Sequence, residues 1–274
     1  MTPLNHTPIF RSVASPSSSS HEPFGIRQLA QRYNTDKAQF VHYLDHYAAH
    51  FEHLRDQELR LLELGVKAGG SLQLWRDYFH RATVVGLDIN PVEIDDPSGR
   101  IKLYTGEQQD EALLDQIGVE TAPDGFDIII DDCAHIGVLA RASFWYLFEH
   151  HLKSGGVYVI EDWGTGYWDS WVDGVSYQPG KAGFSYGLYR VTRGIARLQR
   201  SPLGRLPLVN RFLRVAKALS MKPEYHSHGA GMVGFIKELV DELRVTDSAL
   251  GLPSFQSKFR EISIYQSHLF VTKA

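Results

Sequence analysis

Two pairs of adjacent carboxylates each follow a short apolar run in the middle of the chain. Asp131 and Asp132 end one run, and Glu161 and Asp162 end the next. If both runs are parallel strands, these side chains lie at the carboxyl edge of an open α/β sheet, where such sheets bind ligands. Carboxylate oxygens suit hard divalent cations such as Mg²⁺. The spacing therefore predicts a metal site, with His135, three residues after Asp132, as a base beside it.

A glycine-rich turn follows an earlier apolar run and indicates a nucleoside site. The segment ELGVKAGGS runs from Glu63 to Ser71, and glycines such as Gly65 allow positive φ and close approach of a ligand. Asp88 ends the next apolar run, in the place of an acid that binds ribose hydroxyls. The turn lacks the GxGxxG spacing of dinucleotide sites and the lysine of a P-loop, which disfavours both of those classes.

Alternating strand and helix patterns supply the frame that must hold these residues. We predict strands at 60–64, 83–88, 101–105, 128–130 and 157–160, and helices at 71–80, 111–117, 139–152 and 231–243. Short connections between such elements predict an α/β fold with a Rossmann-like, doubly wound, mostly parallel sheet. Residues 261–265 and 268–272 alternate like a closing antiparallel hairpin.

A helical, aromatic segment precedes the first strand. It carries four histidines on one face, namely His42, His46, His50 and His53. We interpret this face as solvated, with a place in the active site as the alternative.

Residues 164–224 are too long for an ordinary connection and leave the sheet at its ligand edge, so we expect a substrate-lid insertion. Between Gly174 and Pro223 there are ten lysines and arginines and no acid. Residues 206–219 are typical of a basic amphipathic helix on an anionic surface. These features indicate either peripheral membrane contact through 181–222 or binding of an anionic acceptor. The alternative is that the basic residues pair with the protein's own acids. No nucleic-acid module accompanies the charge.

Composition points to a cytoplasmic protein. The only cysteine is Cys133, so no internal disulfide forms and a reducing compartment is the simplest interpretation. We find neither a spanning apolar stretch nor a signal-peptide pattern. The Ser- and Pro-rich residues 1–23 predict a disordered tail. Whether the protein forms a homo-oligomer is left open by the sequence.

Several motifs occur together and in order. They are Tyr33-Asn-Thr-Asp-Lys37, Leu72-x-x-Trp-x-x-Tyr78-Phe, Gly86-Leu-Asp-Ile89, Thr105-Gly-Glu-Gln108, Asp131-Asp-x-x-His135 and Ile160-Glu-Asp162. The set resembles the class I S-adenosylmethionine-dependent methyltransferases, and within them the metal-dependent macrolide-sugar O-methyltransferases of the mycinamicin and tylosin type. The resemblance covers about 25–163 and the last helix and hairpin.

This resemblance implies one methyltransferase domain at 24–274, with an insertion at about 164–224 and without the separate N-terminal domain of the macrolide enzymes. It implies that a sugar hydroxyl on a natural product, lipid or polysaccharide accepts the methyl group. It implies S-adenosylmethionine bound by Glu63, Gly65, Ser71, Asp88 and Gln108, with Asp131 either on the cofactor side or in structural support. It also implies Mg²⁺ held by Asp132, Glu161 and Asp162, with His135 as the general base.

The acceptor stays open, because Cys133 and Ala134 stand where the resemblance leads us to expect Gly-Ser. One alternative is a methyltransferase with a non-sugar acceptor, resembling the cephalosporin methoxylation proteins. Another is a non-catalytic cofactor-binding module that docks on a membrane or a partner enzyme, although such a module has no use for the metal-site acids. A nucleotide-sugar dehydrogenase or epimerase is disfavoured by the missing GxGxxG and Tyr-x-x-x-Lys motifs.

Overall fold

The computed structural model describes residues 24–168, 170–174, 209, 211, 231–244 and 255–274. Its strands are β1 (Arg60–Leu64), β2 (Thr83–Asp88), β3 (Ile101–Thr105), β4 (Phe126–Asp131), β5 (Leu152–Glu161), β6 (Phe259–Tyr265) and β7 (His268–Lys273). The α-helices of the described part are α1 (Ile26–Arg32), α2 (Val41–Phe51), α3 (Gly70–Tyr78), α4 (Glu111–Thr121), α5 (Gly137–His150) and α6 (Gly231–Asp241). Three 3₁₀ turns span Asp36–Gln39, Glu52–Leu54 and Trp163–Tyr167.

The seven strands form one sheet in the order β3-β2-β1-β4-β5-β7-β6. Strands β1 to β5 run parallel to one another, and β7 pairs antiparallel with both β5 and β6. The chain order reverses between β1 and β4, which is where doubly wound sheets open a crevice for ligands. The predicted fold, with its antiparallel C-terminal hairpin, is confirmed.

Helices cover both faces of the sheet, so the central strands are apolar on both sides. Successive side chains of a strand point to opposite faces. Leu61 therefore packs with Trp75 against α1 to α3, and Leu62 packs with Phe144 against α4 to α6. Both leucines are fully buried, and each stabilises the fold by roughly 1.5–3 kcal/mol. This double layer holds the carboxyl ends of the strands at fixed positions.

Several boundaries differ from the predicted ones by a few residues, among them those of α4 and α5. Helix α4 continues to Thr121, and it begins at a cap in which Asp110 accepts hydrogen bonds from the amides of Ala112 and Leu113. Helix α5 ends at His150 because β5 begins at Leu152, whose pairing with Phe126 extends the strand before its apolar part.

Residues 1–23 and most of 164–224 lie outside the described residues, so the predicted tail, the domain limits and the insertion stay predictions. Within the described residues, helices are too short or too polar to cross a bilayer.

Candidate functional site

A cavity of about 940 Å³ opens at the carboxyl edge of the sheet. Its volume lies within the range of roughly 300–1,000 Å³ that small-molecule sites occupy. Its wall is formed by the glycine turn after β1, the ends of β2 and β3, the loop after β4 and the first residues after β5. The segment between α1 and α2 closes another side through Asn34, Thr35, Asp36 and Gln39.

The glycine turn is shaped for close backbone approach. Gly65 has φ +87°, and a Cβ atom there would lie 2.1 Å from the carbonyl oxygen of Asp132. Gly69 has φ +85° and precedes α3. Only glycine fits the first position, because a side chain would displace the loop after β4. The turn and the acidic loop therefore pack directly together on one wall of the cavity.

Asp88 lines the cavity at the end of β2 and also holds the turn. Its Oδ2 accepts hydrogen bonds from the amides of Val66 and Lys67, and its Oδ1 accepts one from Asn90, each at 2.9 Å. Burial opposes ionisation, but these backbone hydrogen bonds outweigh it and lower the pKa of Asp88. The side chain is thus a carboxylate, as a ribose-binding acid must be.

Gln108 lines the cavity and is supported from behind by Asp131. The Gln108 amide donates to Ser143 Oγ at 3.1 Å and accepts from the Ala134 amide at 3.1 Å. Asp131 is buried and accepts hydrogen bonds from Ser143 and Tyr158. Burial raises the pKa of Asp131 to about 6. Asp131 therefore orients the wall and does not form it.

Glu63 is also behind the wall. It is fully buried, and its Oε2 accepts a hydrogen bond of 2.8 Å from Ser71, which lines the cavity. Burial raises the pKa of Glu63 to about 7. Among the predicted cofactor residues, Gly65, Ser71, Asp88 and Gln108 line the cavity, whereas Glu63 reaches it only through Ser71.

Asp132, His135 and Asp162 bring one ligand atom each within 4.8 Å of one another. The Nε2 of His135 lies 3.6 Å from Asp132 Oδ1 and 3.7 Å from Asp162 Oδ2. All three residues line the cavity. The two carboxylates can supply oxygen ligands for a small divalent cation, and the neighbouring imidazole stays available as a base. The structure thus brings two of the three predicted ligands together with the predicted base.

Two residues of this trio have unusual backbone conformations. His135 has φ +50° and Asp162 has φ +53°, a region that residues other than glycine rarely adopt. The indole of Trp171 donates to the His135 carbonyl at 3.0 Å, and the hydroxyl of Tyr43 donates to Asp162 Oδ1. The first bond holds the backbone of His135 and the second holds the side chain of Asp162, and backbone strain of this kind concentrates at functional sites.

Lys37 lies at the centre of the acidic edge, with a relative exposure of 2%. Its Nζ lies 2.5 Å from Asp132 Oδ2, 2.7 Å from Glu161 Oε1 and 3.5 Å from Glu63 Oε1. Burial opposes its charge, but attraction to these carboxylates outweighs burial and raises the pKa of Lys37. Reasoning from the sequence gave this residue no role, and its place in the Tyr33–Lys37 motif was the only signal.

Glu161 points to Lys37 and not into the Asp132–His135–Asp162 trio. Its Oε1 accepts hydrogen bonds from both Lys37 and Tyr47. Its predicted role as a metal ligand stays a prediction, which would use the other oxygen. Burial and the charge of Glu161 raise the pKa of Asp132 to about 7. The buried ammonium group of Lys37 faces three carboxylates, which leaves an excess of negative charge at this edge of the sheet. That excess favours the binding of a further cation.

The histidine face of α2 contacts the C-terminal hairpin. His46 stacks on Tyr265 with ring centroids 3.9 Å apart, and His50 stacks on Phe270 at 4.0 Å. None of the four histidines is among the cavity-lining residues of the described chain. The alternative that this face lines the active site is therefore not supported, and His46 and His50 are partly buried in place of the expected solvation.

The basic insertion lies almost entirely outside the described residues. Among its first residues, Trp171 lines the cavity. Asp173 accepts hydrogen bonds from the amides of Gly137 and Met232 at 2.6 and 2.8 Å, which ties the start of the insertion to α5 and α6. The predicted basic helix and its membrane contact stay predictions.

No family model matches the chain, but individual proteins do. It is 41% identical over 152 residues to the mycinamicin VI 2''-O-methyltransferase of Micromonospora griseorubida, a match that covers 52% of this chain and 37% of that protein. It is 38% identical over 165 residues to the demethylmacrocin O-methyltransferase of Streptomyces fradiae, covering 57% of this chain and 40% of that protein. The match thus spans well under half the length of these curated relatives.

The fold comparison extends further along the chain. The solved structure of the MycE methyltransferase from the mycinamycin biosynthetic pathway, in complex with Mg and SAH, covers 92% of this chain and 55% of its own, with a TM-score of 0.62 and 28% identity. A second MycE structure, which also contains mycinamycin VI, gives a TM-score of 0.60 at 29% identity, over 91% of this chain and 53% of its own. The resemblance that the motifs indicated is confirmed: the chain is similar in sequence and in fold to the macrolide-sugar O-methyltransferases.

Proposed function

We propose that the protein transfers a methyl group from S-adenosylmethionine to a hydroxyl of a sugar on a small molecule, with a divalent metal such as Mg²⁺. One observation carries the proposal. The glycine turn with Asp88 and the trio of Asp132, His135 and Asp162 line the same cavity. A nucleoside cofactor on the turn and an acceptor at the trio would therefore meet inside one cavity.

The relatives support the class of acceptor. The matched proteins are named as O-methyltransferases of mycinamicin VI, demethylmacrocin and L-olivosyl-oleandolide, and a MycE structure contains Mg, SAH and mycinamycin VI. Two further relatives from Streptomyces olivaceus are named for methylation of rhamnosyl tetracenomycin C. A glycosylated natural product is thus the acceptor class that the comparisons favour, because the same chemistry recurs on different aglycones.

The site fits both groups that this reaction needs. Asp132 and Asp162, with His135 between them, offer hard ligands for the metal, and the excess of buried carboxylates over ammonium groups favours a cation there. S-adenosylmethionine would supply the methyl group, and the metal would supply Lewis-acid polarisation of the acceptor hydroxyl.

The protein's own residues would then bind, orient and deprotonate. Gly65, Ser71, Asp88 and Gln108 would hold the cofactor on the wall, with Asp88 directed at the ribose. His135 would take the hydroxyl proton at Nε2, the atom that faces Asp132 and Asp162. Trp171 offers an aromatic surface beside His135 on which a sugar ring can stack.

The test is a methyl-transfer assay with a macrolide that carries an unmethylated neutral sugar. With S-adenosylmethionine and Mg²⁺ we expect a product one methylene heavier, located on the sugar by fragmentation. EDTA should abolish turnover, and added Mg²⁺ should restore it. Asp132→Asn should be inactive, whereas Asp115→Asn, an exposed change on α4, should behave like wild type. Full turnover in metal-free enzyme would rule out the metal-assisted mechanism.

A further inference from the structure

A single buried ammonium group joins the carboxyl ends of three neighbouring strands. Lys37 contacts Glu63 of β1, Asp132 directly after β4 and Glu161 of β5. Its hydrogen bonds to Asp132 and Glu161 are short, and an ammonium group has three donors in all. The third direction faces Glu63 Oε1, a buried atom without a hydrogen-bond partner.

The chain before β1 is built to deliver this side chain. Lys37 lies in the 3₁₀ turn Asp36–Gln39, where the Thr35 hydroxyl accepts a hydrogen bond from the Lys37 amide. The turn sits against α3, because Gly70 leaves room for the Tyr33 carbonyl oxygen, which would lie 2.5 Å from a Cβ atom there. Lys37 therefore enters the sheet edge from a fixed backbone.

Asp132 is shared between Lys37 and the trio. Its Oδ2 accepts the hydrogen bond from Lys37, and its Oδ1 faces Nε2 of His135. Lys37 therefore decides which oxygen of Asp132 is directed at the candidate metal position. In the same way Lys37, together with Tyr47, occupies Oε1 of Glu161. Carboxylates held from behind in this manner are the usual support of a metal site.

We propose that Lys37 is a positioning residue of the metal site, which holds Asp132 and Glu161 in the orientations that a divalent cation requires. The inference rests on the proposed function, since it needs a metal at this edge. A positioning role and simple electrostatics predict opposite changes in cation affinity when Lys37 is replaced. Removal of a neighbouring positive charge should strengthen cation binding by Coulomb attraction alone, whereas loss of orientation should weaken it.

The experiment measures Mn²⁺ affinity by electron paramagnetic resonance on the full chain, and S-adenosylhomocysteine affinity by calorimetry. The variants are Lys37→Met, which removes the charge and keeps most of the volume, and Lys37→Arg, which keeps the charge with a different shape. Lys102→Met removes the same charge from an exposed position on β3 and is the control. Circular dichroism verifies that each variant is folded.

We expect Lys37→Met to bind Mn²⁺ at least tenfold more weakly than wild type, within the usual 10–100-fold range for the loss of a supporting residue. Lys37→Arg should also bind it more weakly, and Lys102→Met should match wild type. S-adenosylhomocysteine affinity should change by less than about threefold. If Lys37→Met does not fold, the Lys37→Arg result decides the question.

Equal or tighter Mn²⁺ binding by folded Lys37→Met, or wild-type binding by Lys37→Arg, would overturn the positioning role. An equal loss of both affinities would also overturn it, because it would mean that Lys37 only ties the N-terminal segment to the cavity. Failure of wild type to bind Mn²⁺ at all is a different outcome, which would remove the metal site of the proposed function and this inference with it.

Discussion

Replacement of His135 by asparagine is the sharpest test of its role as the base. Asparagine tolerates the left-handed backbone that His135 adopts at φ +50°, whereas alanine would add strain of its own. The hydrogen bond from Trp171 goes to the His135 carbonyl, so it survives the substitution. His135→Asn thus removes the imidazole and leaves the loop after β4 in place.

The expected loss follows from what the imidazole does. A positioned base contributes roughly 10²–10⁴ in rate, which corresponds to about 2.7–5.5 kcal/mol of transition-state stabilisation. Because His135 lies beside the two acids and not on the glycine turn, we expect kcat to fall by this factor with little change in cofactor affinity. His150→Asn, at the exposed end of α5, is the matched control.

Single-turnover kinetics with a saturating acceptor, together with calorimetry for S-adenosylhomocysteine, would separate chemistry from binding. A His135→Asn variant whose kcat lies within about threefold of wild type would refute the assignment of the base. None of the α2 histidines lies on the cavity wall of the described chain, so such a result would point to acceptor activation without a histidine.

Three other predictions concern binding and stability. Asp88→Ala should weaken S-adenosylmethionine binding more than tenfold, over ~1.4 kcal/mol, because it removes an acid of the cavity wall whose hydrogen bonds hold the turn. Calorimetry would measure this, with the exposed Asp95→Ala as control. Unchanged affinity would count against the ribose contact. Burial lowers the pKa of His268 in the folded state well below its ordinary value of about 6.5. The unfolded chain therefore takes up a proton that the folded protein excludes, and the free energy of unfolding should fall as pH drops below about 6.5. In urea titrations at pH 7.5 and 5.5, His268→Phe should reduce this loss of stability, whereas the exposed His53→Gln should not. An equal loss of stability in wild type and both variants would show that His268 is not the cause. Anionic liposomes at low salt should sediment the protein if residues 181–222 contact membranes, and Arg211→Glu with Arg214→Glu and Lys217→Glu should abolish this; wild type left in the supernatant would end the membrane hypothesis.

Much of the fold could be predicted because its strands are buried on both faces. Runs such as 60–64 and 83–87 are rich in apolar residues and are followed by Gly65 and Asp88, so both their type and their carboxyl ends are visible in the sequence. The glycine turn and Asp88 follow from the same logic. These residues therefore reached the cavity wall as expected.

Which carboxylate of each acidic pair faces the cavity could not be predicted so well. Neighbouring residues at a strand end point to opposite sides. Asp131 therefore turns toward Ser143 while Asp132 faces Lys37 and His135, and Glu161 turns inward while Asp162 faces the cavity. Sequence alone shows two adjacent carboxylates and not which of them a ligand meets.

Lys37 was missed because its partners are distant in the sequence. It comes before the first strand, and apart from its place in the Tyr33–Lys37 motif nothing local distinguishes it from a lysine on a solvated turn. Only the assembled sheet brings it to Asp132 and Glu161. The expected solvation holds for His42 and His53 but not for His46 and His50, because spacing alone does not show that the C-terminal hairpin packs on that face.

The most direct test of the account is the position of both ligands in one crystal. We would grow crystals with S-adenosylhomocysteine and Mn²⁺ and locate the metal by its anomalous scattering. We expect the nucleoside on the glycine turn with its ribose at Asp88, and a single Mn²⁺ bound by Asp132 and Asp162 beside His135. Mn²⁺ elsewhere, or a nucleoside outside this cavity, would contradict the central claim that one cavity joins cofactor and metal.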